Sequence, residues 1–181
     1  AVWIDADVLV FSSQHFNVPF NVGHAFGREI WVQKDVSKSD RLRVYRNVHN
    51  AVCLFERGDI FLDFYIHACK RIVGAAQGRV PNQIVGTKFL TAIYNIVGFS
   101  LIESAGMFSP LALRDIARGG GRAIDLIASQ TRAPIGAANL CLSLVGSVSD
   151  GVQISDNLME SVCLRLKQEE VFVDVGAKSN Y

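Results

Sequence analysis

The chain has 181 residues, half of them hydrophobic, which is enough to build one sizeable core and predicts a single domain over residues 1–181. Its 18 lysine and arginine residues nearly balance 17 acidic residues, so no net field draws it to nucleic acid or to an anionic membrane. The composition therefore excludes a disordered tail and favours a small ligand as the partner.

The cysteines and the apolar segments indicate the compartment. The four cysteines stand among apolar neighbours, without the close spacing of a zinc or redox motif: Cys53, Cys69, Cys141 and Cys163. They are typical of reduced core residues, which favours a cytoplasmic location, and no signal peptide is recognisable. The uncharged run 133–149 falls short of the roughly 20 apolar residues of a spanning helix and contains Pro134 and Gly136. We therefore expect no membrane span.

The first element is an apolar, β-branched segment, Val2 to Phe11, which predicts a buried strand interrupted only by Asp5 and Asp7. Side chains two apart on an extended strand share a face, so both carboxylates would point to the same side. Such a pair can bind one hard divalent cation, although an acidic pair that caps a loop or meets an arginine is an equally good interpretation of the residues alone. The charged stretch 34–46 is expected to form loops around short strands.

The clearest unit is a strand from Asn50 to Phe55, a turn, and an amphipathic helix capped by Asp59 and ended by Gly74. The apolar stripe of that helix, which includes Phe61, is expected to pack against the sheet. The remaining elements predicted are a helix over about 87–96, a helix opened by Ser109-Pro110, a helix capped by Ser155, and a strand from Val171 to Val175.

Three segments in order resemble a known family. They are the D-x-D strand around Asp5 and Asp7, the segment from Asn50 through the glycine-containing turn to Leu62, and the element Gly86 to Thr91. The chain is similar over its first half to the GT-A-fold glycosyltransferases with a D-x-D sugar-binding motif, which include alpha-1,4-galactosyltransferases and bacterial capsule glycosyltransferases. It departs from the family pattern by having Thr87 where a proline is usual after the glycine.

The resemblance implies an α/β, GT-A-like mixed sheet with flanking helices. It also implies transfer of a hexose from a nucleoside diphosphate sugar donor to the hydroxyl of a saccharide or other acceptor. Asp7 would coordinate Mn²⁺ or Mg²⁺ on the donor diphosphate, and Asp5 would contribute to the metal site and contact the ribose or the donor sugar. Asn50, Gly86 and Thr87 would line the substrate site, with strand capping by Asn50 and plain turn formation by Gly86 as alternatives.

The same resemblance predicts an incomplete enzyme. Nucleotide-binding strands precede the D-x-D motif in such transferases, whereas only residues 1–4 precede Asp5 here. We expect the chain alone to show little activity and to self-associate through an unpaired sheet edge.

Two alternatives remain open. A haloacid-dehalogenase-like phosphatase would use Asp5 as nucleophile with Lys88 as a later partner, and a non-catalytic binding module would keep the fold without the chemistry. Other candidates for the metal site are Asn139, Asp150 and Asp156, and His49 is the histidine expected nearest to it.

Overall fold

The structure, a computed structural model, describes residues 1–78, 80–81 and 83–168. Its strands are β1 (Val2–Ile4), β2 (Val8–Val10), β3 (His24–Asp35), β4 (Lys38–Phe55), β5 (Ser100–Ile102), β6 (Ala105–Met107), β7 (Ala137–Asn139), β8 (Val148–Ser149) and β9 (Val152–Gln153). Its α-helices are α1 (Ile60–Ala75), α2 (Phe89–Val97), α3 (Pro110–Ala117), α4 (Arg122–Gln130) and α5 (Asp156–Gln168). A π-helical turn, Ile84–Lys88, leads into α2, and a 3₁₀ turn, Leu142–Leu144, follows β7. The prediction of a mixed α/β fold is confirmed.

A long hairpin formed by β3 and β4 is the scaffold of the molecule. The two strands pair antiparallel with Trp31 opposite Tyr45 and Val32 opposite Val44. The prediction of loops around short strands over residues 34–46 is wrong, because the ends of two long strands lie there. Apolar side chains such as Leu42 and Val44 alternate with arginines, which is the period of a half-buried strand. The charges mark one face of the strand and not a loop.

The sheets are mixed in direction. In the larger one the strand order is β1-β4-β3-β5, with β1 antiparallel to β4 and β5 parallel to β3, and a second sheet has the order β2-β7-β6. The expected continuous strand over residues 2–11 is therefore two strands in different sheets. A turn separates them, closed by a hydrogen bond from the Val8 N–H to the Asp5 carbonyl at 3.1 Å. The two aspartates lie on this turn and not on one extended face.

Edge strand β1 carries exposed apolar side chains. The side chains of this strand are partly exposed: Val2 is 38%, Trp3 is 62% and Ile4 is 44% exposed. Self-association through this strand stays a prediction.

The predicted helix caps are confirmed. The Asp59 carboxylate accepts a hydrogen bond from the Leu62 N–H at 3.0 Å, and the Ser109 and Ser155 hydroxyls cap α3 and α5. Helix α1 continues one residue past Gly74 to Ala75, so that glycine does not end it. The strand predicted over Val171–Val175 lies outside the described residues.

The core is divided among three clusters. The largest packs one face of the hairpin against α3, α4 and α5, and a smaller one is formed by residues of β3, β4, β5 and β6 together with Val18. The third is aromatic, with the fully buried ring of Phe26 5.7 Å from Phe61 and 5.1 Å from Phe99. Helix α1 packs on this cluster as expected, but none of its side chains is fully buried, so Phe61 is only partly enclosed.

The uncharged run 133–149 forms β7, the 3₁₀ turn and the start of the β8–β9 hairpin. Among the described residues, no helix is long and apolar enough to cross a membrane.

Candidate functional site

Asp5 lies where β1 ends. Its backbone N–H donates to the Ala51 carbonyl at 2.8 Å, which joins it to β4. Its carboxylate accepts a hydrogen bond from Nε1 of Trp3 at 2.6 Å, and the residue is half-buried. One carboxylate oxygen is thus oriented by a neighbour while the group remains within reach of a ligand.

Asp7 lies between the two sheets and is held more firmly. Its Oδ1 accepts a hydrogen bond from Nδ2 of Asn139 at 2.6 Å, and its Oδ2 accepts from the Leu142 N–H at 3.2 Å. Asn139 is buried, and its own Oδ1 accepts from the Cys141 N–H at 2.7 Å. The sequence had offered Asn139 as a further metal ligand, whereas the structure makes it the donor that orients the Asp7 carboxylate.

The other two late candidates lie in separate settings. Asp150 accepts a hydrogen bond from the backbone N–H of Lys34 at 3.0 Å, which ties the β8–β9 turn to the end of β3. Asp156 opens helix α5 as its first residue.

An irregularity in β4 brings Asn50 to Gly86. The register against β3 jumps from Phe26 opposite Cys53 to Gly27 opposite His49, and Asn50 lies exposed at this jump. A Cβ built on Gly86 would lie 2.9 Å from Oδ1 of Asn50, so only glycine leaves room for the amide in this position. Residues 36 positions apart in sequence therefore meet beside the strand that anchors Asp5.

His49 is fully buried beneath this irregularity. Its Nδ1 accepts from the Ala51 N–H at 3.2 Å, so the proton is assigned to Nε2, which donates to the Ala105 carbonyl at 3.3 Å. Burial lowers the pKa of His49 to about 4, so the ring is neutral at pH 7. With both ring nitrogens engaged, His49 supports the strand and does not act as a metal ligand.

Glu29 is the functional candidate that the sequence reasoning missed. Its Oε1 accepts a hydrogen bond from Nδ2 of Asn47 at 2.9 Å, and its Oε2 accepts from the hydroxyl of Thr87 at 3.4 Å. Burial raises the pKa of Glu29 against the opposing effect of these two hydrogen bonds. An acidic residue directly before the apolar run Ile30-Trp31-Val32 was the available signal, and the strand had to be recognised before that signal could be used.

Cys141 adjoins the D-x-D turn, because its backbone N–H donates to Asn139, which in turn donates to Asp7. Burial raises the pKa of its thiol to about 12, and the nearby carboxylates of Glu29 and Asp7 contribute to that rise. The backbone of Cys141 has φ 52°, which is uncommon for a residue other than glycine. The thiol is therefore protonated at neutral pH.

A cleft of about 440 Å³ opens on the Glu29 side of the hairpin. It is lined by Glu29, Trp31, Gln33, Tyr45, Asn47, Gln83, Thr87, Lys88 and Thr91.

The Asp7 carboxylate keeps free oxygen lone pairs, which are the kind of ligand that a hard divalent cation prefers. Each oxygen of Asp7 accepts one hydrogen bond and keeps a lone pair, and such supporting hydrogen bonds are typical of metal-binding carboxylates. Within residues 1–78, 80–81 and 83–168 no three histidine, cysteine or acidic side chains form a closed metal cage. Magnesium and manganese sites often use one or two carboxylates and take their remaining oxygens from phosphate and water.

Comparison with known proteins identifies no relative of this chain. The chain matches no protein-family model, no curated protein and no solved structure.

Proposed function

We propose that this chain carries the donor-binding part of a metal-assisted glycosyltransferase, which moves a hexose from a nucleoside diphosphate sugar to an acceptor hydroxyl. The observation that carries the proposal is the meeting of Asn50 and Gly86 beside the strand that anchors Asp5. The residues that carry the family resemblance come from three separated segments, and two of those segments are in contact with each other.

Each residue of the site has its own role in this proposal. Asp7, oriented by Asn139, would hold Mn²⁺ or Mg²⁺, and Asp5 would contact the ribose or the sugar. Asn50 can donate to a sugar hydroxyl because its amide is exposed, and Gly86 lets a ligand approach the backbone closely. Thr87, where the family usually has proline, uses its hydroxyl to hold Glu29.

The reaction breaks the bond between the anomeric carbon and the donor phosphate oxygen, and the acceptor oxygen forms the new bond as it loses its proton. A bound divalent cation supplies neutralisation of the charge that develops on the departing diphosphate. The protein contributes fixed carboxylate and amide groups that need not reorganise during the step.

The phosphatase alternative receives less support. Asp5 ends an edge strand that pairs antiparallel with β4, and its carboxylate is engaged by Trp3. Lys88 lines the cleft that contains Glu29, whereas Asp5 is not part of that lining. Formation of a covalent adduct at Asp5 with a phosphate analogue would favour the phosphatase.

The test measures the binding of Mn²⁺, alone and together with UDP or GDP, by calorimetry in the wild type and in Asp7→Asn. We expect the variant to lose this binding and to stay folded, because it removes one charge from a partly exposed group. Asp63→Asn on the exposed face of α1 is the matched control and should bind as the wild type does. Undiminished Mn²⁺ and nucleotide affinity in Asp7→Asn would refute the assignment.

A further inference from the structure

The outer face of the β3–β4 hairpin presents polar and aromatic side chains in pairs. Trp31 lies opposite Tyr45, and Glu29 lies opposite Asn47, so both pairs project from the same side of the hairpin. The other side of the same strands carries Ile30 and packs into the largest core cluster. The pleat of the strands therefore determines which side chains lie on the outer face. The core on the opposite side of the hairpin supports the strands that carry Trp31 and Tyr45.

The second wall of the cleft comes from the π-helical turn and α2. It consists of Gln83, Thr87, Lys88 and Thr91. The Thr91 hydroxyl accepts a hydrogen bond from the Val48 N–H at 2.9 Å, and the Thr87 hydroxyl donates to Glu29, so the wall is fastened to both strands. The cleft is preformed and has the volume of a small-ligand site.

The chemistry of the lining selects a neutral, hydroxyl-rich ligand. Glu29 and Lys88 are the charged residues of the lining and offset each other, while its amides and hydroxyls both donate and accept hydrogen bonds. A nucleic acid would require several cationic side chains for its phosphates. Two aromatic rings offer apolar faces on which the C–H groups of a sugar ring can pack.

We propose that this cleft binds a neutral saccharide, with Trp31 and Tyr45 packing against a sugar ring and Glu29 accepting hydrogen bonds from its hydroxyls. The carboxylate of Glu29 has about four lone-pair sites in general. Asn47 and Thr87 occupy one on each oxygen, which leaves acceptor capacity toward the cleft.

The position of the cleft gives it a role in the proposed reaction. Thr87 of the cleft directly follows Gly86 of the donor site, and its hydroxyl donates to Glu29. The identification of the saccharide as the acceptor rests on the proposed function, whereas saccharide binding by the cleft does not.

The test uses the two tryptophans of the chain. Trp3→Phe leaves Trp31 as the only tryptophan, so the fluorescence of this protein reports directly on the cleft. We would titrate it with the methyl glycosides of glucose, galactose, mannose and N-acetylglucosamine. At least one of them should change the emission saturably.

Two variants in that background locate the binding. Glu29→Gln should weaken it about tenfold or more, since it removes a charge-assisted hydrogen bond, and Tyr45→Ala should weaken it about 2- to 13-fold, since it removes one ring contact. Phe20→Ala, which removes an aromatic side chain that is 72% exposed outside the cleft, should leave it unchanged. Thermal melting of Glu29→Gln identifies any loss that comes from unfolding, and Tyr45→Ala then decides because Tyr45 is exposed.

Several outcomes would overturn the proposal. These are the absence of a response to all four glycosides in the folded protein, wild-type affinity in both cleft variants, and binding of a short single-stranded oligonucleotide in place of the glycosides. Saccharide binding that persists while Asp7→Asn keeps the Mn²⁺ affinity of the wild type would refute the transferase and leave the saccharide site standing.

Discussion

Replacing Asn139 with alanine tests the support of the D-x-D turn most directly. The change removes a hydrogen bond to a carboxylate at 2.6 Å and one from the Cys141 N–H at 2.7 Å. Hydrogen bonds to charged groups contribute ~1.5–3 kcal/mol and neutral ones about 1 kcal/mol. Because Asp7 is partly exposed, we expect the lower part of that range, a total loss of ~2–3 kcal/mol in the free energy of unfolding.

Urea denaturation measures this loss as a lower midpoint at an unchanged slope. The same variant should bind Mn²⁺ about 10–100-fold more weakly, as is usual when a group that orients a metal-binding carboxylate is removed. A loss of stability below about 0.5 kcal/mol would refute the argument, since surface substitutions without structural consequence lie in that range.

Asn139→Asp is the matched control because it keeps the acceptor for the Cys141 N–H but sets a second carboxylate against Asp7. Like charges raise the pKa of one of the two groups, so the folded state binds more protons than the unfolded state. Its deficit relative to the wild type should therefore shrink as the pH falls toward about 4. A deficit that does not change with pH would mean that the two carboxylates do not face each other.

Three further predictions concern the surroundings of the site. Phe26→Ala should cost ~3–5 kcal/mol in the free energy of unfolding, because its ring is fully buried. Phe61→Ala should cost clearly less, because that ring is only partly enclosed. Equal losses in urea denaturation would contradict this difference in burial between the two rings. Gly86→Ala should leave the melting temperature nearly unchanged, since the exposed Asn50 side chain can move to make room for the new methyl group. The same variant should weaken nucleotide binding, and unchanged binding would show that Gly86 is not part of the site. The pKa of His49 falls from near 6.5 in the unfolded chain to about 4 in the folded protein. Neutral His49 therefore contributes ~3 kcal/mol to the free energy of unfolding above pH 6.5, and this contribution is lost as the pH falls toward 4. His49→Asn should flatten the pH dependence of stability between pH 6.5 and 4.

The elements that the sequence could predict are those with local signals. The caps at Asp59 and Ser109 followed from side chains that bond to nearby backbone N–H groups, and the mixed α/β class followed from the alternation of apolar segments. Asp5 and Asp7 were identified as a pair from their spacing. Their turn was not predicted, because it depends on β1 and β2 finding partners 48 or more residues away in two different sheets.

The hairpin was missed for a related reason. Its arginines suggested loops, although Arg41 and Arg43 fall on alternate positions around Leu42, and strand pairing gives that alternation its meaning. Once the strand was lost, Glu29 could not be recognised as a carboxyl facing a cleft. Asn139 was named as a candidate, but its role toward Asp7 requires the antiparallel pairing of Val8 with Asn139.

The pleat of the hairpin separates two kinds of change. Positions such as Trp31 and Tyr45 touch the cleft, while the intervening Ile30 and Val44 touch the core, so a substitution on one face leaves the packing of the other largely intact. Effects on stability from the core face and effects on ligand preference from the cleft face should then combine additively. Evolution or protein engineering could therefore change the exposed residues of the outer face, and with them the ligand, without loss of the fold. Glu29 would be the exception on that face, because it is only 4% exposed and a substitution there would also disturb buried contacts.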